Sequence, residues 1–444
     1  MLSYEITTTQ KDGVLKQWLP GPWLFWGLVL LVLPLWMFSF PETTVKHNLK
    51  PTFVYASQIF SLLGFAFFAL TFVLSTRSKF LEDMFGGLDR VYHFHKFTGK
   101  MAGLFLLLHP VFLALRWISE DLSKATWYLL PLHRRMEINL GSWSLMGILV
   151  LLIFTFIIKI PYDKWKISHK MLGFFFIPGI FHVFLQNTFS GNPALRIYLS
   201  LLTAAGVLAW LYKSIFYDLL KEKTSYLVTS VERLNSKIME IELSPQKEAE
   251  RFLPGQFFFF SFLADYIPSE SHPFTVCAQE KDSKIKIIVK SLGDYTSLLH
   301  RLLDTNVPVL LDGPYGRFTY NMAGNDQVWI AGGVGIAPFL SWANHLLAHP
   351  DQFLKVNLFY CVRRLPEATH LHIFQALEEQ MLDFHVQVIC ETCEGLFEIS
   401  GLCGIKNKDI FICGPGKMRK SFVKDLERMN IPKKQIHFED FDFN

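Results

Sequence analysis

Six apolar stretches mark the first half of the chain, at roughly residues 23–40, 52–75, 95–117, 141–160, 169–189 and 194–216, and the pattern stops near residue 217. A bilayer core about 30 Å thick takes about 20 residues of helix to cross, so most of these stretches predict membrane-spanning helices. Beyond residue 217 charged residues become regular and apolar runs shorten to alternating strand length, as at 225–234, 238–243 and 256–260. Pro254 and Gly255 mark a turn before the third of these. Strands are also expected at 327–330, 355–360, 385–389 and 409–413. The pattern predicts a membrane all-α six-helix bundle over 1–217, an antiparallel β-barrel over 218–322 and an α/β domain over 323–444.

The segment at 23–40 has the length of a signal peptide. No small-residue cleavage site follows it and five further spans do, so it is read as a retained helix. An even number of spans puts both termini on one side. Arg77, Lys79, Arg90, Lys96 and Lys100 flank one connection and Lys159, Lys164, Lys166 and Lys170 the next, whereas the opposite face carries fewer cations, with Arg134 and Arg135 as the exception. The positive-inside rule then places both termini and the second half in the cytoplasm of a multi-pass protein of the cell membrane. All six cysteines, Cys277, Cys361, Cys390, Cys393, Cys403 and Cys413, lie in that half, and free thiols suit a reducing compartment. Cys390 and Cys393 form a CxxC with no second pair at metal-site spacing, so they read as structural or incidental. The net charge of +4 over 444 residues is accounted for by the membrane loops and makes no case for nucleic acid. The bilayer is the expected partner, and no obligatory protein partner is evident.

Two of the apolar stretches carry histidines in pairs. His95 and His109 are fourteen residues apart, His169 and His182 thirteen. At about 1.5 Å per residue each pair separates its imidazoles by roughly 20 Å, a spacing that suits two haems stacked across a bilayer core of roughly 30 Å. Membrane histidines are costly without partners and functional by default. Fourteen residues is close to four helical turns, so His95 and His109 share a face; thirteen falls about half a turn short. Pro178 and Gly179 are expected to kink or rewind the helix enough to let His169 and His182 share one too. Pairing by depth sets His95 with His169 near the cytoplasm and His109 with His182 near the far side, each pair leaving an iron six-coordinate and suited to electron transfer. Histidines that merely hydrogen-bond within the bundle are the competing reading. His93 is expected at the interface and His133 in an external loop. With no CxxCH, the haems are expected to be b-type. Gly99, Gly103, Gly141, Gly147 and Gly173 suit close approach of either a macrocycle or another helix.

The second half carries its own chemistry. The loop Ala331-Gly332-Gly333-Val334-Gly335-Ile336-Ala337-Pro338 lies between a strand and a helix, where glycines let a pyrophosphate reach backbone N–H groups and the helix's positive end. Earlier come His272-Pro273-Phe274-Thr275, then Gly293-Asp294-Tyr295-Thr296, then Gly313-Pro314-Tyr315-Gly316. With these motifs and the four histidines, the sequence resembles the ferric reductase and NADPH oxidase superfamily, fused to a ferredoxin-reductase-like flavoprotein. Within it, the compact bacterial NADPH-oxidase-like proteins are the nearest in kind.

The resemblance implies that His272, Pro273, Phe274 and Thr275 contact FAD, with Thr275 nearest the polar edge of the isoalloxazine. It places Gly293, Tyr295 and Thr296 near the FAD pyrophosphate, and makes the Gly313–Gly316 motif close the barrel and face the nicotinamide half. Gly332, Gly333, Gly335 and Pro338 would bind the phosphates of NAD(P)H, and Cys413, Gly414 and Pro415 would lie beside the nicotinamide. Arg363 falls on the family's arginine near the nucleotide, and an extra guanidinium in the Arg363-Arg364 pair could meet a 2′-phosphate bidentately, which favours NADPH while leaving NADH possible; structural surface arginines are the competing reading. Phe441 is the first choice for a ring stacked on the flavin and Phe443 the second. His95, His109, His169 and His182 fall on the family's haem ligands.

The function so implied is an electron wire from cytoplasmic NAD(P)H through FAD and two b-type haems to an acceptor outside the cytoplasm. Oxygen, giving superoxide, is favoured; a ferric chelate is the alternative, and a haem membrane sensor or anchor without catalysis a third reading. An external loop with Arg116, Lys124, His133, Arg134 and Arg135 is basic enough to attract an anionic chelate or superoxide. Animal oxidases of the family carry a second histidine one turn beyond the outer ligand, where this chain has Leu113. The absence of calcium loops and long regulatory tails suggests a compact, constitutively active form.

Overall fold

The computed structural model describes residues 20–39, 51–118, 120–186, 189–279, 282–402 and 404–439. The first half is helical: α1 Pro20–Met37, α2 Pro51–Leu74, α3 Lys79–Phe85, α4 Leu88–Ile118, α5 Leu122–Leu129, α6 Met136–Phe156, α7 Tyr162–Leu185 and α8 Pro193–Leu220. All but the short α3 and α5 are long and apolar enough to cross a membrane. In α2 67% of the most apolar window is buried, against 17–28% in the other five spans, so α2 is the centre and its neighbours face outward. Its phenylalanines supply the middle of the packing, with Phe65 and Phe68 both against Phe176 of α7.

Helix α7 is interrupted at Met171 rather than at Pro178, which lies inside a continuous helical stretch, Leu172–Leu185. Met171 N donates to both Ile167 O and Ser168 O, and Phe174 N to Met171 O, so the winding tightens there. Beside the proline, Ser144 of α6 donates its hydroxyl to the Phe175 carbonyl (2.7 Å), and Gly179 abuts the same serine.

The second half opens with strands β1 Thr224–Arg233, β2 Ile238–Pro245, β3 Phe257–Phe262, β4 His272–Gln279, β5 Ile285–Lys290 and β6 Pro308–Tyr315, which form a closed barrel in the order β1-β2-β5-β4-β3-β6. Gly255, at φ +94° in the turn before β3, lies where a side chain would strike the Phe318 carbonyl and the Trp342 indole. Strand β3 reads FFFFSF and is buried throughout. Phe258, Phe260 and Phe262 fill the barrel, while Phe257 and Phe259 turn the other way and join the core of the membrane helices. A strand buried on both faces loses its alternation.

That shared face is a polar as well as an apolar joint. Arg77, after α2, stacks over the Phe259 ring at 3.6 Å and lies 3.5 Å from Asp312 of β6. The buried Asp312 also accepts from the hydroxyls of Tyr217 (2.6 Å) and Tyr315 (2.8 Å). A buried carboxylate so fully satisfied holds its partners firmly, since removing one leaves a charge unpaired.

The last part is a parallel sheet, β7 Asp326–Gly332, β8 Lys355–Val362, β9 Phe384–Cys390, β10 Asp409–Cys413 and β11 Ile436–Phe438, in the order β11-β10-β7-β8-β9. Helices follow its strands as crossovers, as expected for this topology. Trp329 and Trp342 are fully buried at its heart.

Candidate functional site

The four histidines form two opposed pairs between α4 and α7. His95 faces His169 and His109 faces His182, each with ring centroids 6.1 Å apart and planes inclined by 64°. One metal bound by two opposed imidazoles at about 2 Å per bond would set the centroids roughly 6 Å apart. Backbone oxygens hold three of the rings by Nδ1: Thr71 O for His95 (3.0 Å), Ser57 O for His109 (3.1 Å) and Glu137 O for His182 (2.7 Å). His169 Nδ1 has the Thr155 hydroxyl at 3.4 Å. An imidazole anchored through Nδ1 keeps Nε2 for a metal, the usual arrangement of a ligating histidine. Among the described residues no group of three or more His, Cys, Asp or Glu gathers to hold a metal. Two imidazoles alone leave the remaining coordination to a macrocycle, and the residues therefore fit a haem at each pair.

The glycines serve helix contact. A side chain on Gly141 would come within 2.6 Å of His182 Nδ1. Phe175 fills the space over Gly147, Trp210 that over Gly173 and Leu152 that over Gly103; Gly99 has only Thr71 within ordinary contact distance. Gly141 thus lets α6 close on the histidine that its own carbonyl at Glu137 orients.

A run of rings leaves the inner pair toward the barrel. His169 stacks on Trp165 (5.1 Å, 23°), Trp165 on Tyr162 (5.5 Å, 30°), Tyr162 lies 5.9 Å from His272, and His272 stacks on Tyr295 at 3.7 Å. Positions 162, 165 and 169 share a helix face because they are three and four residues apart. Sequence reasoning passed over Tyr162 and Trp165; their spacing from His169 was the available signal, but a lipid-facing aromatic is the default reading of either.

The barrel motifs converge as well. His272, Pro273, Phe274 and Thr275 open β4, and Thr275 is buried against Phe257 of β3. Burial and the nearby Lys166 push the His272 imidazole down to about 4, so it is neutral at physiological pH. Tyr295 starts helix α9, Asp294–Leu302, behind Gly293; its hydroxyl is buried without a partner among the described residues, and burial raises its pKa. The Thr296 hydroxyl turns inward to accept from Leu292 N (3.0 Å) and Gly293 N (3.1 Å). The Gly313–Gly316 motif ends β6, and its outer side rests on α3: Gly316 N donates to Glu82 Oε1 (2.6 Å), Lys79 reaches the Pro314 carbonyl, and Arg317 pairs with Asp83. The motif thus touches the membrane half, while a side chain on Gly316 would meet Glu439, just past β11 of the nicotinamide half.

At the carboxyl edge of the parallel sheet, Gly333 (φ +55°) begins a turn into helix α10, Ala337–Ala348, with Pro338 in its first turn. A side chain on Gly332 would strike Pro415 and Met418, and one on Gly335 the backbone of Cys413 and Gly414. Gly332, Gly333, Gly335, Pro338, Cys413, Gly414 and Pro415 are therefore one cluster, at the edge where such sheets bind nucleotides. Cys413 is buried, while Arg363 is exposed just past β8. Phe441 and Phe443 lie outside the described residues.

Three family models match the chain in turn: a ferric reductase like transmembrane component over residues 60–180, an FAD-binding domain over 223–319 and an oxidoreductase NAD-binding domain over 329–424. The ferric/cupric reductase transmembrane component 2 of Saccharomyces cerevisiae is 24% identical over 289 residues, 64% of this chain and 39% of that protein. Ferric reductase transmembrane component 6 of the same yeast is 22% identical over 399 residues, 87% of this chain and 54% of that protein. The chain spans about half the length or less of these curated relatives. Among solved structures, the FAD/NAD-binding domain of a Vibrio cholerae nitric oxide dioxygenase is 21% identical and covers 49% of this chain and 98% of its own, with a TM-score of 0.43. Transmembrane, FAD-binding and NAD-binding parts in this order give the chain the architecture of the ferric-reductase and FAD/NAD(P)H oxidoreductase superfamily, and make it an oxidoreductase of the flavoenzyme type.

Proposed function

We propose that the protein carries electrons from NAD(P)H, by way of FAD and two b-type haems, across the membrane to oxygen, giving superoxide. The observation that carries this reading is the ring series from Tyr295 and His272, in the flavin motifs, to His169 of the inner pair. FAD, when bound, would supply the exchange of one hydride for two single electrons, and haem iron their one-electron acceptance. His95 with His169 would hold one haem and His109 with His182 the other. His272, Pro273, Phe274, Thr275 and Tyr295 would seat the flavin, while Gly293 and Thr296 approach its pyrophosphate. The backbone at Gly332, Gly333 and Gly335, capped by Pro338, would bind the nucleotide phosphates, with Cys413, Gly414 and Pro415 beside the nicotinamide and Arg363 on a 2′-phosphate. Phe441 is proposed to stack on the flavin until nicotinamide replaces it. Tyr162 and Trp165 pack ring on ring between His272, which would help seat the flavin, and His169, which would help hold the inner haem. No side chain is required to act as acid or base. In this reading the domains divide at 217 and 322, and the barrel faces the cytoplasm with both termini.

A ferric chelate is the second reading for the acceptor. It is favoured by the ferric reductases among the relatives and by cations beyond the outer pair, where Arg116 and Lys124 lie over Trp117 and Arg134 over Trp127. NADPH added without oxygen to haem-loaded protein should reduce the flavin and then both haems; bound flavin that reduces while the haem spectrum stays oxidised would refute the wire. Parallel assays of superoxide and of ferric-chelate reduction under air decide the acceptor.

A further inference from the structure

We propose that Cys390 and Cys393 are a redox-modifiable dithiol, a site for hydroperoxides, whose oxidation weakens recognition of the nucleotide's 2′-phosphate. The coupling rests on the reading of Arg363 given above.

Cys390 ends β9 at the carboxyl edge of the sheet, in register with Val362 of β8, so Arg363 is its next neighbour along the partner strand. The Arg363 carbonyl accepts from Thr392 N at 3.1 Å and lies 3.9 Å from Cys390 Sγ. Thr392 Oγ1 contacts both sulfurs, 3.4 Å from Cys390 and 4.0 Å from Cys393. The single helical turn that follows Cys390 and contains Cys393, α11 Glu391–Glu394, therefore also holds the backbone of Arg363. Among the described residues the Arg363 guanidinium has no ion pair, and it is exposed, so that backbone support is what steadies it.

The two thiols are unlike. Cys393 is exposed, Cys390 buried, and both are reduced. Hydrogen bonds from Cys393 and then Thr392 hold the Cys390 thiol below its ordinary range, while the same contact raises Cys393. Cys361, also at this edge, is pushed up to about 12 by burial and stays an inert thiol at neutral pH. Exposure makes Cys393 the sulfur that peroxide reaches: its thiolate fraction attacks one peroxide oxygen, and with the proton it released the products are a sulfenic acid and water. The Cys390 thiolate then attacks that sulfur, forming the S–S bond and expelling hydroxide, which takes up the proton Cys390 released. The sum is two thiols and one peroxide to one disulfide and two waters. α11 buries none of its residues, so its own packing does not resist a shift. The S–H near the Arg363 carbonyl is lost, and the Thr392 amide moves with the turn.

The test uses full-length protein with its cofactors. After peroxide treatment, peptide mass spectrometry should find the Cys390–Cys393 disulfide, and NADP+ should bind about fivefold more weakly, the equivalent of one lost hydrogen bond. NAD+, which has no 2′-phosphate, should bind as before; dithiothreitol should restore NADP+ binding, and Cys393→Ser should be insensitive. Absence of that disulfide overturns the dithiol. A disulfide that leaves NADP+ binding unchanged, while Arg363→Ala weakens it, overturns the coupling. An Arg363→Ala variant that binds NADP+ like the wild type overturns the reading of Arg363, and the coupling with it.

Discussion

The inner and outer histidine pairs share one ring geometry yet end in different surroundings. Both stand at 6.1 Å and 64°. His109 and His182, the outer pair, are tied by close oxygens, with the Ser57 hydroxyl 2.8 Å from His109 Nδ1 besides the backbone contacts. In the inner pair, His169 has only a long contact to Thr155 on Nδ1 and is steadied instead by the face of Trp165. In the proposed reading, holding a metal and being wired to a donor are then separable tasks: Nδ1 contacts would do the first at both levels, and stacked rings would add the second at the level nearest the barrel.

The strongest way to break the comparison is to remove a ligand. His182→Ala should abolish the outer haem and cut acceptor reduction by more than about 100-fold, because even the supporting partners of a ligand cost 10–100-fold in metal affinity. Flavin reduction by NADPH should persist, as should the inner haem's absorbance; a variant that keeps both haems sinks the pairing. A smaller effect is expected at the rings. Trp165→Leu should slow flavin-to-haem transfer in stopped-flow traces by roughly tenfold and shift the electron paramagnetic resonance signal of the inner haem alone, since His169 loses the plane that orients it. Trp165→Phe should restore much of both, and an equal shift at the two haems would contradict the separation. The smallest effect concerns pH. His272, lowered from 6.5 to about 4, stays neutral in the folded protein, so transfer through its ring should be flat between pH 8 and 5.5. Because the native imidazole binds its proton less tightly than the unfolded chain does, stability should fall as pH drops below about 6.5, and the loss should be complete below about 4. Thermal melts of wild type against His272→Gln measure it: the variant should lose less stability over that window.

Much of the site was legible. His95, His109, His169 and His182 stand out because polar side chains in an apolar run are expensive. The loop from Gly332 to Pro338 stands out because phosphate contact needs bare backbone. The tightening at Met171 was not legible: thirteen residues announce a mismatch, and Pro178 looked like its remedy, yet hydrogen bonds about two turns earlier tighten the winding instead. Nor was the setting of Gly316, whose amide meets Glu82 across 234 positions of sequence.

The amino-acid sequence by itself determined the six apolar spans and the succession of membrane, barrel and nucleotide parts. These follow from composition and period, which are local properties of the chain. Only the tertiary structure decided that β3 offers Phe257 and Phe259 to the membrane core, that Tyr162 and Trp165 join His272 to His169, and that the Cys390–Cys393 turn holds Arg363. Contacts between distant segments depend on how whole elements pack, and no local pattern encodes the partner.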